Sequence, residues 1–202
     1  MKIAQVIFYI PNLLSISRIV LIPLFVYLLF IPTVESKIWS LVVFAVASLT
    51  DLLDGWSARK FNQESELGKF LDPLADKFLV ISALIAILVL DPYLEIFDAW
   101  MIVIILGRDV LITVMRYLAI KKGTTLRTSR FGKVKTAFQM TSIVLIIMIY
   151  IVRKSGYDIT HVSLPYWIMF TTTMLTALSG IRYLVTNGSL FFPAKKTEQT
   201  EQ

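Results

Sequence analysis

Two pairs of aspartates interrupt a chain that otherwise consists mostly of apolar runs. The stretch from Asp51 to Lys77 reads DLLDGWSARKFNQESELGKFLDPLADK, and its pairs are Asp51 with Asp54 and Asp72 with Asp76. On helices, spacings of three and four residues put the members of each pair on one face. Carboxylates beside a bilayer core are unfavourable unless they are paired, bound to metal or open to water. Two pairs on neighbouring helices can therefore converge on a site for hard cations.

The composition predicts an integral membrane protein with an all-α fold. Of the 202 residues, 56% are hydrophobic, and the mean hydropathy of +0.73 is too high for a soluble domain of this size. Six transmembrane helices are predicted, at residues 15–30, 38–59, 68–90, 99–120, 133–151 and 165–185. A short interfacial segment precedes them; Pro11 and Asn12 interrupt it, and Asn12 or Ser15 is suited to cap the helix that follows. Residues 1–192 are expected to form a single membrane domain, and residues 193–202 a polar tail.

The loop charges predict the orientation of these spans. Basic residues are concentrated in the second and fourth links, at Arg59, Lys60, Lys69, Lys121, Lys122, Arg127, Arg130, Lys133 and Lys135. Loops rich in lysine and arginine stay on the cytoplasmic side of a membrane. Both termini are therefore expected inside, in a multi-pass protein of the cell membrane. The aspartate hairpin then opens near the cytoplasmic face.

Several kinds of site are excluded by residue content. The chain has no cysteine, which excludes disulfides, thiolate ligands and cysteine nucleophiles. Its single histidine, His161, excludes a metal site built from several histidines and is interpreted as an ordinary loop residue. The formal net charge of +6 suits anionic lipids or anionic substrates. Nucleic acid is not an expected partner, because the basic residues border apolar spans instead of forming a soluble patch.

The aspartate pattern itself predicts a particular chemistry. Four carboxylates can hold two Mg²⁺ or Mn²⁺ ions, and such ions can bridge a diphosphate during an in-line displacement. A carboxylate at the edge of the cluster can accept a proton from an alcohol. Gly55, Ala58 and Gly68 keep their helix faces low enough for a bulky group to approach, although glycines also serve helix packing. Arg59 is suited to bind phosphate or headgroup oxygens, or to anchor the cytoplasmic side.

The full pattern is Asp-x2-Asp-Gly-x2-Ala-Arg, then eight residues, then Gly-x3-Asp-x3-Asp. It resembles the signature of the CDP-alcohol phosphotransferase family of membrane enzymes, and every fixed position of that signature is matched. Weaker similarity in the segments PNLLSISRIVLIP, GRDVLITVMR and GKVKT points to bacterial members that use sn-glycerol 3-phosphate.

The resemblance implies a transfer reaction and a set of site residues. The donor would be CDP-diacylglycerol and the acceptor sn-glycerol 3-phosphate, giving phosphatidylglycerol phosphate and CMP. Asp51, Asp54 and Asp72 would ligate two divalent cations, and Asp76 would complete the cluster and act as general base on the acceptor hydroxyl. Near the cytidine phosphate the family would have Asn12, Ser15, Gly55, Ala58, Arg59, Ser65 and Gly68. The resemblance also implies a homodimer among membrane lipids.

A cationic wall is the physical argument for this acceptor. Glycerol 3-phosphate is a dianion, and a cavity lined by fixed cations would bind it beside a second phosphate-bearing substrate. Three spans supply such cations at similar depth, namely Arg108, Arg116, Lys133, Lys135 and Arg182. Arg108 has an alternative structural interpretation, a pair with the neighbouring Asp109.

Three alternatives stay open. One is an enzyme of the same family with another acceptor, such as inositol phosphate, serine or a lipid. Another is an intramembrane prenyltransferase, against which the Gly-x2-Ala-Arg element and the single hairpin argue. The last is a cation carrier built on four membrane aspartates, which would not require the basic residues and would usually have broken helices near the midplane.

Overall fold

The computed structural model describes residues 10–61, 66–90, 98–121, 123, 130–156 and 163–187. Within these ranges, side chains are described except at residues 10–12, 51–61, 66–73, 90, 130, 131 and 133. This part of the chain forms six helices: α1 Ile10–Phe30, α2 Val34–Phe61, α3 Glu66–Leu90, α4 Ala99–Lys121, α5 Arg130–Lys154 and α6 Leu164–Asn187. The prediction of an all-α fold is confirmed for the described ranges.

Helix α1 begins earlier than the sequence predicts. It starts at Ile10 and continues through Pro11, Asn12 and Ser15. The prediction that Pro11 and Asn12 interrupt the chain, with Asn12 or Ser15 as the cap, is wrong. The physical reason is that proline is tolerated in a first helical turn, where its missing N–H would have no intrahelical partner anyway.

Local polar groups define other helix ends. Thr33 precedes α2, and its Oγ accepts a hydrogen bond of 3.3 Å from the backbone N–H of Ser36. This is the bond that an N-cap threonine makes to satisfy a free donor of the first turn. Beyond the end of α5, Gly156 has φ +92° and donates its N–H to the Arg153 carbonyl at 3.1 Å. A left-handed residue at that position is favourable only for glycine.

One apolar core joins the helices. Helix α1 packs against α2 and α3, while α6 packs against α4 and α5; α2 contacts α5, and α3 contacts both α4 and α5. Phe25 of α1 and Phe44 of α2 are fully buried, with ring centroids 5.3 Å apart. Buried leucines, isoleucines and methionines of α3 to α6 continue this core, among them Leu84, Ile105 and Ile146. At the middle of α2, Ser48 contacts Met140 of α5, and in the first half of α3 Lys77 contacts Thr113 of α4.

A buried lysine lies in the first turn of α2, at the end opposite to the aspartates. Lys37 is 1% exposed, and its Nζ donates to the carbonyl of Leu29 near the end of α1. The same ammonium lies 5.4 Å from the centroid of the Tyr150 ring on α5. Lys37 precedes Asp51 by roughly 21 Å along the helix, at 1.5 Å per residue. This end of the helix bundle is therefore distant from the aspartates.

Three helices contain stretches long and apolar enough to cross a membrane. Among the described residues these are Leu13–Phe30 in α1, Val134–Lys154 in α5 and Leu164–Asn187 in α6. In α4, which is not among them, Arg108, Asp109 and Arg116 occur within two and a half turns. The three apolar stretches mark the chain as a membrane protein.

Candidate active site

The backbone puts the four aspartates on two consecutive helices that are in contact. Asp51 and Asp54 lie in the second half of α2, and Asp72 and Asp76 lie in the first half of α3. Asp51 and Asp76 are each roughly 15 Å from the facing ends of their helices, at 1.5 Å per residue. Asp54 and Asp72 are both closer to those ends. The helical register thus pairs the aspartates by depth along α2 and α3.

Asp76 is the member of this set whose side chain is described. It is partly buried on α3, between the fully buried Ala75 and the partly buried Lys77. Lys77 donates a hydrogen bond to Oγ of Thr113 on α4. Thr113 in turn donates to the carbonyl of Asp109 at 2.7 Å. The residue after Asp76 therefore ties α3 to the polar turn of α4.

A cluster of charged and polar side chains joins α4, α5 and α6, and Asp109 of α4 lies at the centre of this cluster. Lys135 Nζ donates to both carboxylate oxygens of Asp109, at 2.8 and 2.9 Å. Arg108 Nη1 donates to Oδ1 of the same carboxylate at 2.9 Å. Arg108 Nη2 also donates to Ser179 Oγ on α6 at 2.8 Å. The predicted pairing of Arg108 with Asp109 is confirmed, and Lys135 shares the same counter-ion.

This cluster is shielded from the surface. The side chain of Lys135 is 4% exposed, that of Arg108 is 14% exposed and that of Asp109 is 22% exposed. Buried cations are tolerated only when their charge is compensated and their N–H groups find acceptors. Asp109 supplies that compensation to two cations from different helices, so the group of three keeps one net positive charge.

Asp76 interacts electrostatically with one cation on its own helix and with another on α5. Its charge acts on Lys77 and also on Lys135, which in turn interacts with Asp109 and Arg108. Lys77 was not among the residues singled out from the sequence. Its position directly after the last aspartate of the pattern is the signal that the sequence offers for it.

The other predicted acceptor residues are distributed more widely. Arg116 is exposed on α4, two turns beyond Arg108, and interacts with Lys77. Arg182 is exposed on α6. Lys133 is in the first turn of α5, and its side chain lies outside the described set. The structure thus brings Arg108 and Lys135 to one carboxylate and leaves Arg116 and Arg182 on the surface.

A second buried arginine lies beside the start of the aspartate pattern. Arg18 on α1 is fully buried, and its Nε donates to Oγ of Thr50 on α2 at 3.3 Å. Thr50 immediately precedes Asp51. Ser15, a predicted donor-binding residue, is also fully buried one turn before Arg18. Sequence hydropathy gives the depth of Arg18 but does not say towards which neighbour its side chain turns.

Most of the predicted donor-binding residues belong to the N-terminal part of α1 and to the hairpin of α2 and α3. The side chains at six predicted positions lie outside the described set, namely Asn12, Gly55, Ala58, Arg59, Ser65 and Gly68. Their helices are described for all but Ser65, which lies between α2 and α3. Ser15 is thus the one donor-binding prediction for which the described side chains give surroundings.

The metal-ligating groups that the hairpin offers are suited to a hard divalent cation. Carboxylate oxygens are the ligands that Mg²⁺ and Mn²⁺ prefer, and all four predicted ligands are aspartates. Among the residues whose side chains are described, no group of three or more histidines, cysteines or acidic residues is close enough to hold a metal. Asp51, Asp54 and Asp72 lie outside that set. The fit therefore depends on the residue types and their helical register.

Four aspartates on two contacting helices, in a chain whose described part is all-helical, agree with the class of membrane transferase that the sequence pattern predicts. The family model for CDP-alcohol phosphatidyltransferase matches residues 8–178. The chain belongs to this family and is a transferase, and the resemblance found in the aspartate pattern is confirmed.

Similar curated proteins cover most of the chain. A protein of Shigella flexneri serotype 5b (strain 8401) is named CDP-diacylglycerol–glycerol-3-phosphate 3-phosphatidyltransferase. It is 31% identical over 183 residues, which make up 88% of this chain and 93% of the relative. Proteins with the same name in Bacillus subtilis (strain 168) and Escherichia coli (strain K12) are 30% and 31% identical. These two alignments cover 89% and 88% of this chain, and 95% and 93% of the relatives.

Proposed function

We propose that this protein transfers the phosphatidyl group of CDP-diacylglycerol to sn-glycerol 3-phosphate, forming phosphatidylglycerol phosphate and CMP. Support comes from family membership, from relatives that are named for this donor and this acceptor, and from the arrangement of charge around Asp76. The observation that carries the proposal is the clustering of Lys77, Arg108 and Lys135, from three helices, around Asp109, together with the electrostatic interaction of Asp76 with Lys77 and Lys135. Such a wall suits an acceptor that is itself an anion.

In this proposal the hairpin binds the donor. Asp51, Asp54, Asp72 and Asp76 would hold two divalent cations, Mg²⁺ or Mn²⁺, which supply neutralisation of the diphosphate when bound. Ser15 and the small or basic residues Asn12, Gly55, Ala58, Arg59, Ser65 and Gly68 would surround the cytidine phosphate. Fully buried Arg18 would add positive potential at the α1 side of the hairpin, because a guanidinium stays charged even when buried.

The acceptor would lie on the other side of Asp76. Its phosphate would be bound by the cationic wall of Arg108, Arg116, Lys133, Lys135 and Arg182. Lys77 would extend that wall to α3. Uncharged alcohols would gain nothing from these cations, so the wall selects a phosphorylated acceptor.

Asp76 would accept the proton in the transfer step. The acceptor hydroxyl oxygen forms a new bond to the phosphatidyl phosphorus as the bond from that phosphorus to the CMP oxygen breaks. CMP leaves with the electron pair, and the hydroxyl proton passes to the Asp76 carboxylate. The electrostatic interaction of Asp76 with Lys77 and Lys135 supports this role, because it brings the carboxylate next to the cations that would hold the acceptor.

The topology proposed with this reaction has six membrane spans. Residues 1–192 would form one domain in the cell membrane, with 193–202 as a polar tail. The basic links around α2–α3 and α4–α5 would face the cytoplasm, where both water-soluble substrate and product are found. Both termini would then be cytoplasmic, and the protein would act as a homodimer.

The alternative within the family is another acceptor alcohol, and product analysis separates the two. Purified protein would be incubated with CDP-diacylglycerol, Mg²⁺ and one candidate acceptor at a time, and the lipid product identified by mass. Phosphatidylglycerol phosphate from glycerol 3-phosphate is the expected product, and it should vanish when the cations are chelated. A lipid carrying inositol phosphate or serine, with none from glycerol 3-phosphate, would overturn the acceptor while leaving the family chemistry intact.

A further inference from the structure

The side chain of Arg108, on α4, extends to α6 and passes directly over Gly180. A Cβ built on Gly180 would lie 2.9 Å from Cγ of Arg108 and 3.8 Å from its Cβ. Carbon atoms that are not bonded do not approach to 2.9 Å without displacement of one of them. Because Cγ is close to the root of the arginine side chain, it cannot yield by swinging the far end aside. Any side chain at Gly180 would therefore shift the whole of Arg108.

The guanidinium of Arg108 is held from two sides. Asp109 accepts from Nη1 at 2.9 Å, and Ser179, the neighbour of Gly180, accepts from Nη2 at 2.8 Å. A guanidinium is planar and has five N–H donors in a fixed fork, so two bonds to different helices determine its plane. Nε is buried and makes no hydrogen bond within the described part of the chain.

The distance between α4 and α6 is fixed by apolar packing next to Arg108. One turn further along, Ile112 and Met115 of α4 form a buried cluster with Tyr183 of α6. Close packing at that turn resists separation of the two helices. A methyl group added at Gly180 would consequently displace Arg108 and not the helix.

We infer that Asp109, Ser179 and Gly180 form a seat that positions Arg108 for the acceptor phosphate. Gly180 supplies the clearance, and Asp109 and Ser179 set the plane of the guanidinium. The N–H groups that the seat does not use, Nε among them, remain for phosphate oxygens. This inference rests on the proposed function, in which Arg108 is part of the acceptor wall, and it assigns positioning roles to three residues that touch no substrate.

Two glycine substitutions test the seat. Gly180→Ala is compared with Gly107→Ala, because Gly107 is the residue before Arg108 and a Cβ there meets nothing within 4 Å. Both changes favour the helix equally, so they differ only in what the new methyl group touches. The KM for glycerol 3-phosphate and the KM for CDP-diacylglycerol are measured separately by CMP release from the full-length protein in mixed micelles. Gly180→Ala should raise the acceptor KM roughly ten- to hundred-fold, as expected for a misplaced binding group.

The donor KM should be unchanged in Gly180→Ala, and both KM values should be unchanged in Gly107→Ala. A general loosening of the fold would instead move both constants. If Gly180→Ala is lost from the membrane, Ser179→Ala decides the question, since it removes one hydrogen bond to Arg108 and adds no atom. An unshifted acceptor KM in the deciding variant overturns the seat. Absence of CMP release from the unaltered protein overturns the proposed function and the seat together.

Discussion

Lys135 and Asp109, which are on different helices, are joined by two hydrogen bonds of 2.8 and 2.9 Å from one ammonium to both oxygens of one carboxylate. The lysine side chain is 4% exposed, so its charge depends on this partner for compensation. The pair holds α5 against α4 at the level of Arg108. It therefore fixes the positions of Lys135 and Arg108, two members of the proposed cationic wall.

The first prediction concerns the stability of this pair. Asp109→Asn should destabilise the protein, because it leaves Lys135 and Arg108 close together without a counter-ion. Breaking a fully buried pair costs about 3–5 kcal/mol, and the cost here should be somewhat lower because Asp109 is 22% exposed. The measurement is the free energy of unfolding in detergent, by denaturant titration.

The double variant Asp109→Asn with Lys135→Met provides the control. It removes the uncompensated ammonium along with its partner, so it should cost less than the two single changes added together. Additivity within about 0.5 kcal/mol would show that the two side chains do not depend on each other.

The second prediction assigns the proton acceptor. Asp76→Asn keeps the size of the side chain but removes its basicity, so CMP release should fall about 10²–10⁴-fold. Binding of CDP-diacylglycerol should be partly retained, because three aspartates of the hairpin remain. Asp98→Asn is the matched control: Asp98 is exposed at the start of α4, where it accepts from Trp100 at 2.9 Å. Near-normal turnover in Asp76→Asn would remove Asp76 from the base role.

The third prediction concerns the exposed part of the cationic wall. Arg116→Ala should raise the KM for glycerol 3-phosphate about ten- to hundred-fold, the range expected from losing a hydrogen bond to a charged group. The KM for CDP-diacylglycerol should change much less. Lys121→Ala removes the same charge from an exposed position at the end of the same helix and should affect neither constant. Equal rises in both constants for Arg116→Ala would place Arg116 outside the acceptor site.

The fourth prediction separates stability from activity. Lys37→Met keeps a long side chain but removes the donor to the Leu29 carbonyl and the charge beside Tyr150. The free energy of unfolding should fall by about 1.5–3 kcal/mol, whereas both KM values should stay the same. Lys154→Met, at an exposed residue near the same end, should change stability by less than about 0.5 kcal/mol. A changed KM in Lys37→Met would show that the two ends of α2 are coupled.

Hydropathy and motif spacing predicted much of this architecture. The bounds predicted for the fourth span, residues 99–120, match the helix α4, Ala99–Lys121, which is not among the three helices apolar enough to cross a membrane. Long apolar runs bounded by charged loops leave little freedom for the position of a helix. The aspartate pattern identified the family for a related reason, since fixed spacing on helices determines which residues share a face.

Contacts between helices could not be predicted in this way. Lys135 and Asp109 are 26 positions apart on separate helices, and the sequence does not determine how those helices are rotated against each other. Arg18 shows the same limit: its depth was evident, but not that it turns inwards to Thr50. Gly180 carried no signal, because the side chain it accommodates belongs to another helix.

The proposed function depends on the binding of a phosphorylated acceptor by the cationic wall beside Asp76. The most direct measurement is CMP release by the purified protein from CDP-diacylglycerol with Mg²⁺, comparing sn-glycerol 3-phosphate with glycerol under the same conditions. The two alcohols differ only in the phosphate that the wall is proposed to bind. Rapid CMP release with glycerol 3-phosphate and little with glycerol is the predicted result. Equal release with both alcohols, or release with neither, would contradict the proposed function.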